Sequence, residues 1–527
     1  MVGVPKSKRC SFCKSRKTKC DEKWPNCGTC TRAGKICSGP RTDHKFIVNG
    51  CHGGVPNDAG DARHTRRLPL ESGCTSKVDS ISRHHADAVV LATKHLFVDE
   101  STHKGRQVAA NLSKPLSWNP PDKVTAHLIA CLGAAPGTGY DLHILGAFLP
   151  LIPRHLGSGH TALSYAVELL LGAWENSRQG LPSELWLDLR AYNRALRSLK
   201  ATLDDANSEH LTNTLATLCV LQKTEILYDF TRGSNQENHA AGLIAVIKGG
   251  GPRQPMEEMA LHVTFESIFH MLQEDIRQRR ESDFHNPEWM KALHGAVDAS
   301  GVTPVLKHLY HLWVDATVWP GLARLVSLIR RHPSDTMTAA QLHLRATALA
   351  NLLRNQDETI LAALEDVGAI SEVENKNRPD LFPKCYQFAD FPTAKLFSTH
   401  TLFSILAYRF LQEADQVLCS HRDPYLEAQA RKFSKRAWMA YPWLQSQIPL
   451  AVDFTGCLVF SYEAGNEEER RFCAAGLTEM DSSRHPPPIG QWVEATIMAN
   501  AKAYTGRLPF IKTQDSTVEY EGVGCRS

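Results

Sequence analysis

Six cysteines fall within residues 10–37, and they constrain the start of the chain more tightly than any hydrophobic pattern in it. They run Cys10, Cys13, Cys20, Cys27, Cys30 and Cys37, two C-x2-C-x6-C halves joined by a six-residue link. A C-x2-C pair opening a short helix sets two thiolates on one side of a metal. A third cysteine six residues later returns from beyond that helix. Three thiolates leave a tetrahedral Zn2+ one ligand short. Six complete two tetrahedra only when two of them bridge both ions, so the spacing implies a binuclear cluster with two Zn2+. No histidine interrupts the cluster, which disfavours mixed Cys/His fingers, and six cysteines rather than eight disfavour two independent four-cysteine sites.

A module of about 30 residues cannot bury enough apolar surface to fold alone, so metal binding is expected to supply most of its folding free energy. The competing reading, a disulfide knot, needs an oxidising compartment. The opening residues Met1 to Lys6 hold no apolar stretch of the ~7–15 residues a secretory leader requires. No run reaches the ~18 apolar residues of a membrane helix. A soluble, intracellular protein with reduced thiols and no membrane partner is therefore expected. The other nine cysteines (Cys51, Cys74, Cys131, Cys219, Cys385, Cys419, Cys457, Cys473 and Cys525) lack ligand-like spacing. They read as small hydrophobes, mostly buried.

Charge is divided unevenly. Residues 1–45 carry twelve basic and three acidic residues, a net +9, while the remainder is −6 with 47 basic and 53 acidic. A basic end on a mildly acidic body points to a polyanion as the partner of that end alone. The run Lys14, Ser15, Arg16, Lys17, Thr18, Lys19 lies between the second and third cysteines, so zinc would hold its cations in fixed directions. Lys or Arg donating to guanine O6 and N7 is the commonest specific major-groove contact, and the remaining cations would go to phosphates. The second half is less basic and would rest on phosphates through Arg32 and Lys35. Lys6, Lys8 and Arg9, with Arg16, Lys17 and Lys19, also have the composition of a nuclear localisation signal.

The stretch from Cys10 to Asp21, followed by Pro25, Cys27 and Cys30, resembles the fungal Zn2Cys6 binuclear-cluster family of transcription factors. Glu22 departs from the pattern, standing where that family often has glycine. The resemblance implies that Cys10 and Cys27 bridge, that Cys13 and Cys20 complete one zinc, and that Cys30 and Cys37 complete the other. It further implies that Lys17 contacts bases, that Arg16 and Lys19 lie nearer the backbone, and that the half-site is a CGG-like triplet. Double-stranded DNA is the implied partner. The implied function is nuclear regulation of RNA polymerase II transcription, as an activator of a metabolic or secondary-metabolite gene set.

Residues 8–40 are thus the expected DNA-binding module. Residues 41–81 read as a flexible linker rich in Gly, Pro, Ser and Asp. No a/d repeat holds for three heptads there, which leaves the module to act as a monomer or to pair through the body. From residue 82 the pattern turns helical. Leu189, Tyr192, Leu196, Leu199 and Leu203 step by three and four, as do Leu211, Leu215, Leu218 and Leu221. Further helices are expected at 158–175, 237–248, 257–278, 303–330, 338–354, 394–416 and 425–435, and alternating strand patterns are scarce. The expected class is a small Zn2Cys6 module followed by a large all-α domain over 82–520. That domain would contact a second copy or other regulators.

Three stretches of the body resemble the helical regulatory domain that often follows such modules: 191–197, 239–252 and 462–471. Gly249 to Pro252 reads as a helix stop rather than a phosphate loop. Glu467 to Glu469 read as the first turn of a helix capped by Asn466. His84 and His85, adjacent on a helix, face different directions and read as surface residues. No H-E-x-x-H, G-x-S-x-G or phosphate loop in context is present, so no enzyme is expected. The alternative is a zinc-containing co-regulator or scaffold without sequence preference. The intact cations Lys14, Arg16, Lys17 and Lys19 speak against it.

Overall fold

The chain divides into two units, Met1–Ser113 and Lys114–Ser527. The computed structural model describes residues 13, 16, 18–21 and 27–33 of the first. In the second it describes 120–133, 142–156, 161–179, 181–204, 211–228, 235–252, 256–421, 423–447, 454–482 and 492–508. The 41–81 linker, His84, His85 and the stretch 82–119 lie outside the described residues. Among the described residues of the first unit, the short helix α1 spans Gly28–Arg32.

The second unit opens with α2 (Pro120–Leu132), α3 (Pro153–Leu156), α4 (Thr161–Arg178) and α5 (Leu189–Asp204), then α6 (Leu211–Tyr228), α7 (Asn235–Gly250) and α8 (Glu258–Arg277). From Asn213 to Tyr228 every residue of α6 is buried, and α4, α5, α7 and α8 pack around it. Polar groups on a helix enclosed on all sides are costly unless they pair inside the protein; among the described residues the buried Gln222 amide does not. Thr217 and Thr224 do so on their own turn, donating to Asn213 O and Val220 O at 2.7 Å each. Glu225 Oε1 accepts from Tyr192 of α5 at 2.5 Å and meets His239 Nε2 of α7 at 2.7 Å. Two of the three stretches that resemble the regulatory domain therefore meet on one buried carboxylate. Gly251, at φ +71°, follows the last turn of α7, and its N–H donates to Lys248 O, so the Gly249–Pro252 segment is a helix stop.

The remainder comprises α9 (Pro287–Ala299), α10 (Pro304–Asp315), α11 (Trp319–Arg331), α12 (Thr336–Gln356) and α13 (Ala362–Asp366). A hairpin of β1 (Ile370–Glu374) and β2 (Lys384–Phe388) follows, then α14 (Phe391–Leu418), α15 (Pro424–Gln447), α16 (Thr455–Ser461), α17 (Glu467–Ser482) and α18 (Glu494–Tyr504). Side-chain caps fix the starts. Asn286, Thr303, Asp335 and Asp390 each accept a backbone N–H from the first turn of α9, α10, α12 and α14. At α17 the capping is reciprocal, as the Asn-x-x-Glu spacing predicts. Asn466 Oδ1 accepts from Glu469 N at 3.0 Å, and Glu469 Oε2 accepts from Asn466 N at 2.8 Å.

The 28-residue α14 is the second enclosed helix, with α10, α11, α12, α15 and α16 packed around it. Trp319 sits fully buried where α11 meets it, ringed by Phe269, Phe403, Phe460 and Tyr504 at 5.7–6.3 Å. Its indole N–H donates to Tyr504 O at 3.1 Å. Just beyond, Gly506 (φ +75°) presses so close to α11 that a Cβ would lie 1.9 Å from Ala323 O. Only glycine fits that approach.

The body is mostly helical, and several sequence expectations change in detail. The expected 303–330 helix is interrupted by a 3-10 turn at Ala316–Val318, which separates α10 from α11. By length and composition Pro304–Arg331 would suffice to cross a membrane, although Lys307, Asp315 and Arg324 break its apolar residues into shorter runs. However, 78% of its most apolar window is buried inside the fold, as in a core helix. The expected 425–435 helix runs on to Gln447 through Pro442, because Ala440, Tyr441 and Leu444 are core residues. The hairpin, with Ile370 opposite Phe388 and Glu374 opposite Lys384, was not foreseen. Each strand spans five residues, too short for alternation to stand out.

Candidate zinc centre

The described residues of the first unit bury sulfur. Cys13, Cys27 and Cys30 are at most 1% exposed, and Cys20 packs against them half-buried. The Cys13 and Cys27 sulfurs are 3.6 Å apart, and those of Cys13, Cys20 and Cys27 all lie within 4.8 Å of one another. A disulfide would hold its sulfurs at about 2.05 Å. Two thiolates sharing a tetrahedral zinc at about 2.3 Å stand about 3.8 Å apart. The described cysteines are thiols, and their spacing is that of ligands around a common centre. The donor set fits zinc.

Local structure explains how so short a chain holds this geometry. Cys27 caps α1: Cys30 N donates to Cys27 Sγ at 3.4 Å, so the first residue of the second C-x2-C pair orders the second. Thr31 Oγ1 donates to Cys27 O at 3.2 Å. Thr18 N donates to Cys13 O at 3.0 Å, closing the turn over the first basic run. Two contacts then stitch the halves together. Both oxygens of Asp21 lie 3.1 Å from Gly28 N, at the positive end of α1. Thr29 Oγ1 donates to Lys19 O at 3.1 Å. Gly28 is small for a reason visible here, since a Cβ would stand 2.9 Å from Asp21 Oδ2.

Sequence reasoning assigned no role to Asp21, Gly28 or Thr29. The signal was a carboxylate directly after the third cysteine and a glycine directly after the fourth. Of the residues it did single out, Cys13, Cys20, Cys27 and Cys30 come together. Arg16, Lys19 and Arg32 are exposed while the sulfurs are buried, and Arg32 Nε donates to Gly28 O at 3.2 Å. Cys10, Cys37, Lys14, Lys17 and Lys35 lie outside the described residues.

In the body, Cys131, Cys219, Cys457 and Cys473 are buried as expected, Cys385 is half-buried, and Cys419 is exposed. Burial pushes the Cys219 thiol up to about 11 and Cys473 to about 12, which makes both inert small hydrophobes.

Residues 8–45 match the family model of the fungal Zn(2)-Cys(6) binuclear cluster domain. No curated protein and no solved structure matches the chain.

Proposed function

Because residues 8–45 form a fungal zinc-cluster domain, the DNA-binding, zinc-holding module of a class of transcription factors, we propose a specific mode of reading. The cluster takes two Zn2+. Cys10 and Cys27 bridge, Cys13 and Cys20 complete one ion, and Cys30 and Cys37 complete the other. The observation that carries this reading is the convergence of the Cys13, Cys20 and Cys27 sulfurs beneath exposed cations. Zinc supplies a rigid centre there. The chain's own residues then present charge from fixed directions, so electrostatic attraction becomes oriented recognition.

Lys17 makes the base contact in the major groove, at a CGG-like triplet. Lys14, Arg16 and Lys19 hold the first half to the backbone, and Arg32 and Lys35 hold the second on phosphates. The module spans 8–40, the linker 41–81 and the body 82–520. The protein acts in the nucleus as an activator of a metabolic or secondary-metabolite gene set. The body regulates and contacts other proteins and has no catalytic role.

The test is selection of bound sequences from a random duplex pool, using full-length zinc-loaded protein at near-physiological salt. Enrichment of CGG-like triplets is expected, and their number and spacing distinguish a monomer from a pair joined through the body. No enrichment with zinc in place would leave only electrostatic binding. The protein would then be a zinc-containing co-regulator.

A further inference from the structure

A second convergence of metal-ligand types lies in the body. His127 and Cys131 are four residues apart on α2, on one face of the helix. Glu175, near the end of α4, comes to the same place through the packing of α2 on α4. His127 Nε2 is 2.7 Å from Glu175 Oε1, and a ring nitrogen of His127, a carboxylate oxygen of Glu175 and Cys131 Sγ all lie within 4.8 Å of one another. Cys131 is only 9% exposed, whereas the His127 and Glu175 side chains are 41% and 43% exposed. The thiol forms the floor of the site, and the other two donors stand at its mouth within reach of solvent ions.

We propose that His127, Cys131 and Glu175 form a divalent transition-metal site, suited to Zn2+ and separate from the N-terminal cluster. The donors select the class of ion. A thiolate and an imidazole suit zinc or a neighbouring first-row ion, while magnesium and calcium demand oxygen ligands. Three protein ligands leave the fourth tetrahedral position to water. At ordinary zinc–ligand lengths the donors stand about 3.3–3.7 Å apart. The His127–Glu175 contact, 2.7 Å, must therefore widen slightly as the ion enters, by rotation of two exposed side chains. The thiol proton leaves to solvent. Burial and the Glu175 carboxylate hold the Cys131 thiol above its ordinary pKa, and Arg178, kept over the Trp174 ring at 4.6 Å, opposes them only in part, so the ion itself must displace the proton. The bound ion joins α2 to α4, pinning the first described helix of the body to the group that encloses α6.

The site is tested by titrating Co2+ into the full chain under reducing conditions, after only the two equivalents of Zn2+ that fill the N-terminal cluster have been bound and free zinc has been removed. A tetrahedral cobalt spectrum with a thiolate charge-transfer band should develop and saturate at one equivalent. It should be absent in Cys131→Ser and at least tenfold weaker in apparent affinity in Glu175→Gln. Glu175 is half exposed, so the second variant keeps the test sound even if Cys131→Ser disturbs packing. In parallel, Co2+ should raise the melting temperature of the body in the wild type but not in either variant. Equal spectra in the wild type and both variants, or no spectrum in the wild type, would overturn the assignment. Neither result depends on whether the protein reads CGG-like triplets.

Discussion

The two units of this chain are held together by different physics. In the first, the buried groups are sulfurs, and their arrangement has a centre that one kind of ion can fill. In the second, the buried groups are aliphatic and aromatic side chains spread over helices from α2 to α18. A centre with few members is all-or-none, because losing one ligand loses the geometry. A distributed core is redundant, because each side chain contributes a few kcal/mol among many. The zinc-cluster end is thus expected to switch with one chemical event while the body stays folded.

The largest expected effect breaks the module alone. Structural zinc contributes on the order of 10–16 kcal/mol of apparent binding free energy in modules of this kind. A strong chelator should therefore abolish DNA binding completely, yet leave the helical circular dichroism of the body nearly unchanged, its melting temperature falling only by what an ion held at His127, Cys131 and Glu175 adds. Joint collapse of both units would overturn the division.

The converse experiment targets Trp319, the fully buried residue among Phe269, Phe403, Phe460 and Tyr504. Trp319→Ala should destabilise the body by about 3–5 kcal/mol. Below the lowered melting temperature, affinity for DNA should not change. Denaturant unfolding and DNA titration on the same variant check both halves of that statement.

Acid distinguishes the units differently. Burial alone would raise the pKa of Glu463, but the Arg507 hydrogen bonds at 2.7 and 2.6 Å, aided by the charges of Arg507 and Arg409, outweigh it. The carboxyl is held down to about 2, from an ordinary 4.5. A pKa depressed by folding stabilises the protein above the unfolded value, and that stability is lost as pH falls from 4.5 toward 2. The loss should approach ~3 kcal/mol. Between those pH values Glu463→Gln should show a correspondingly shallower fall in body stability than the wild type. Parallel profiles would show that Glu463 is not the group responsible.

Within the module, base contacts should separate from phosphate contacts. Lys17→Ala should cost about 1–3 kcal/mol on the selected site and flatten preference at the guanines. Arg32→Ala should weaken binding to all sequences alike and reduce the salt slope by about one. Equal losses for Lys17→Ala on specific and random duplexes would remove its base-reading role. An unchanged slope for Arg32→Ala would remove its phosphate role.

How much was legible in the sequence follows the same division. Cysteine spacing directly encodes ligand geometry, so Cys13, Cys20, Cys27 and Cys30 could be grouped before any coordinates. In the body, a period of 3.6 marked the long amphipathic helices, and Asn466 with Glu469 marked the start of α17. The enclosed α6 could be found from its leucines, but nothing in the pattern says that Glu225 would meet Tyr192 and His239 across two neighbours. The helices α3, α13 and α16 and the hairpin were missed because they are too short to show a period, and α2, α9 and α18, of 11–13 residues, were not singled out either. Pro442 inside α15 is the same lesson in reverse: packing carries the helix past a residue that propensity would use to end it.

The smallest expected effect concerns the stitch that spacing did not reveal. Asp21 is not among the six cysteine ligands, yet both its oxygens lie 3.1 Å from Gly28 N and so hold the second half of the module against the first. Loss of a side-chain cap costs about 0.5–2 kcal/mol. In a module folded by zinc, that loss should appear as weaker apparent zinc affinity, about 2- to 30-fold for Asp21→Ala in a chelator competition. Asp21→Asn keeps one acceptor oxygen and should lose less. At saturating zinc both variants should bind DNA as the wild type does, because the cations Arg16, Lys19 and Arg32 are untouched. If Asp21→Ala left zinc affinity intact but reduced DNA affinity, Asp21 would instead be orienting the cationic face. The junction between the halves would then belong to recognition rather than to folding.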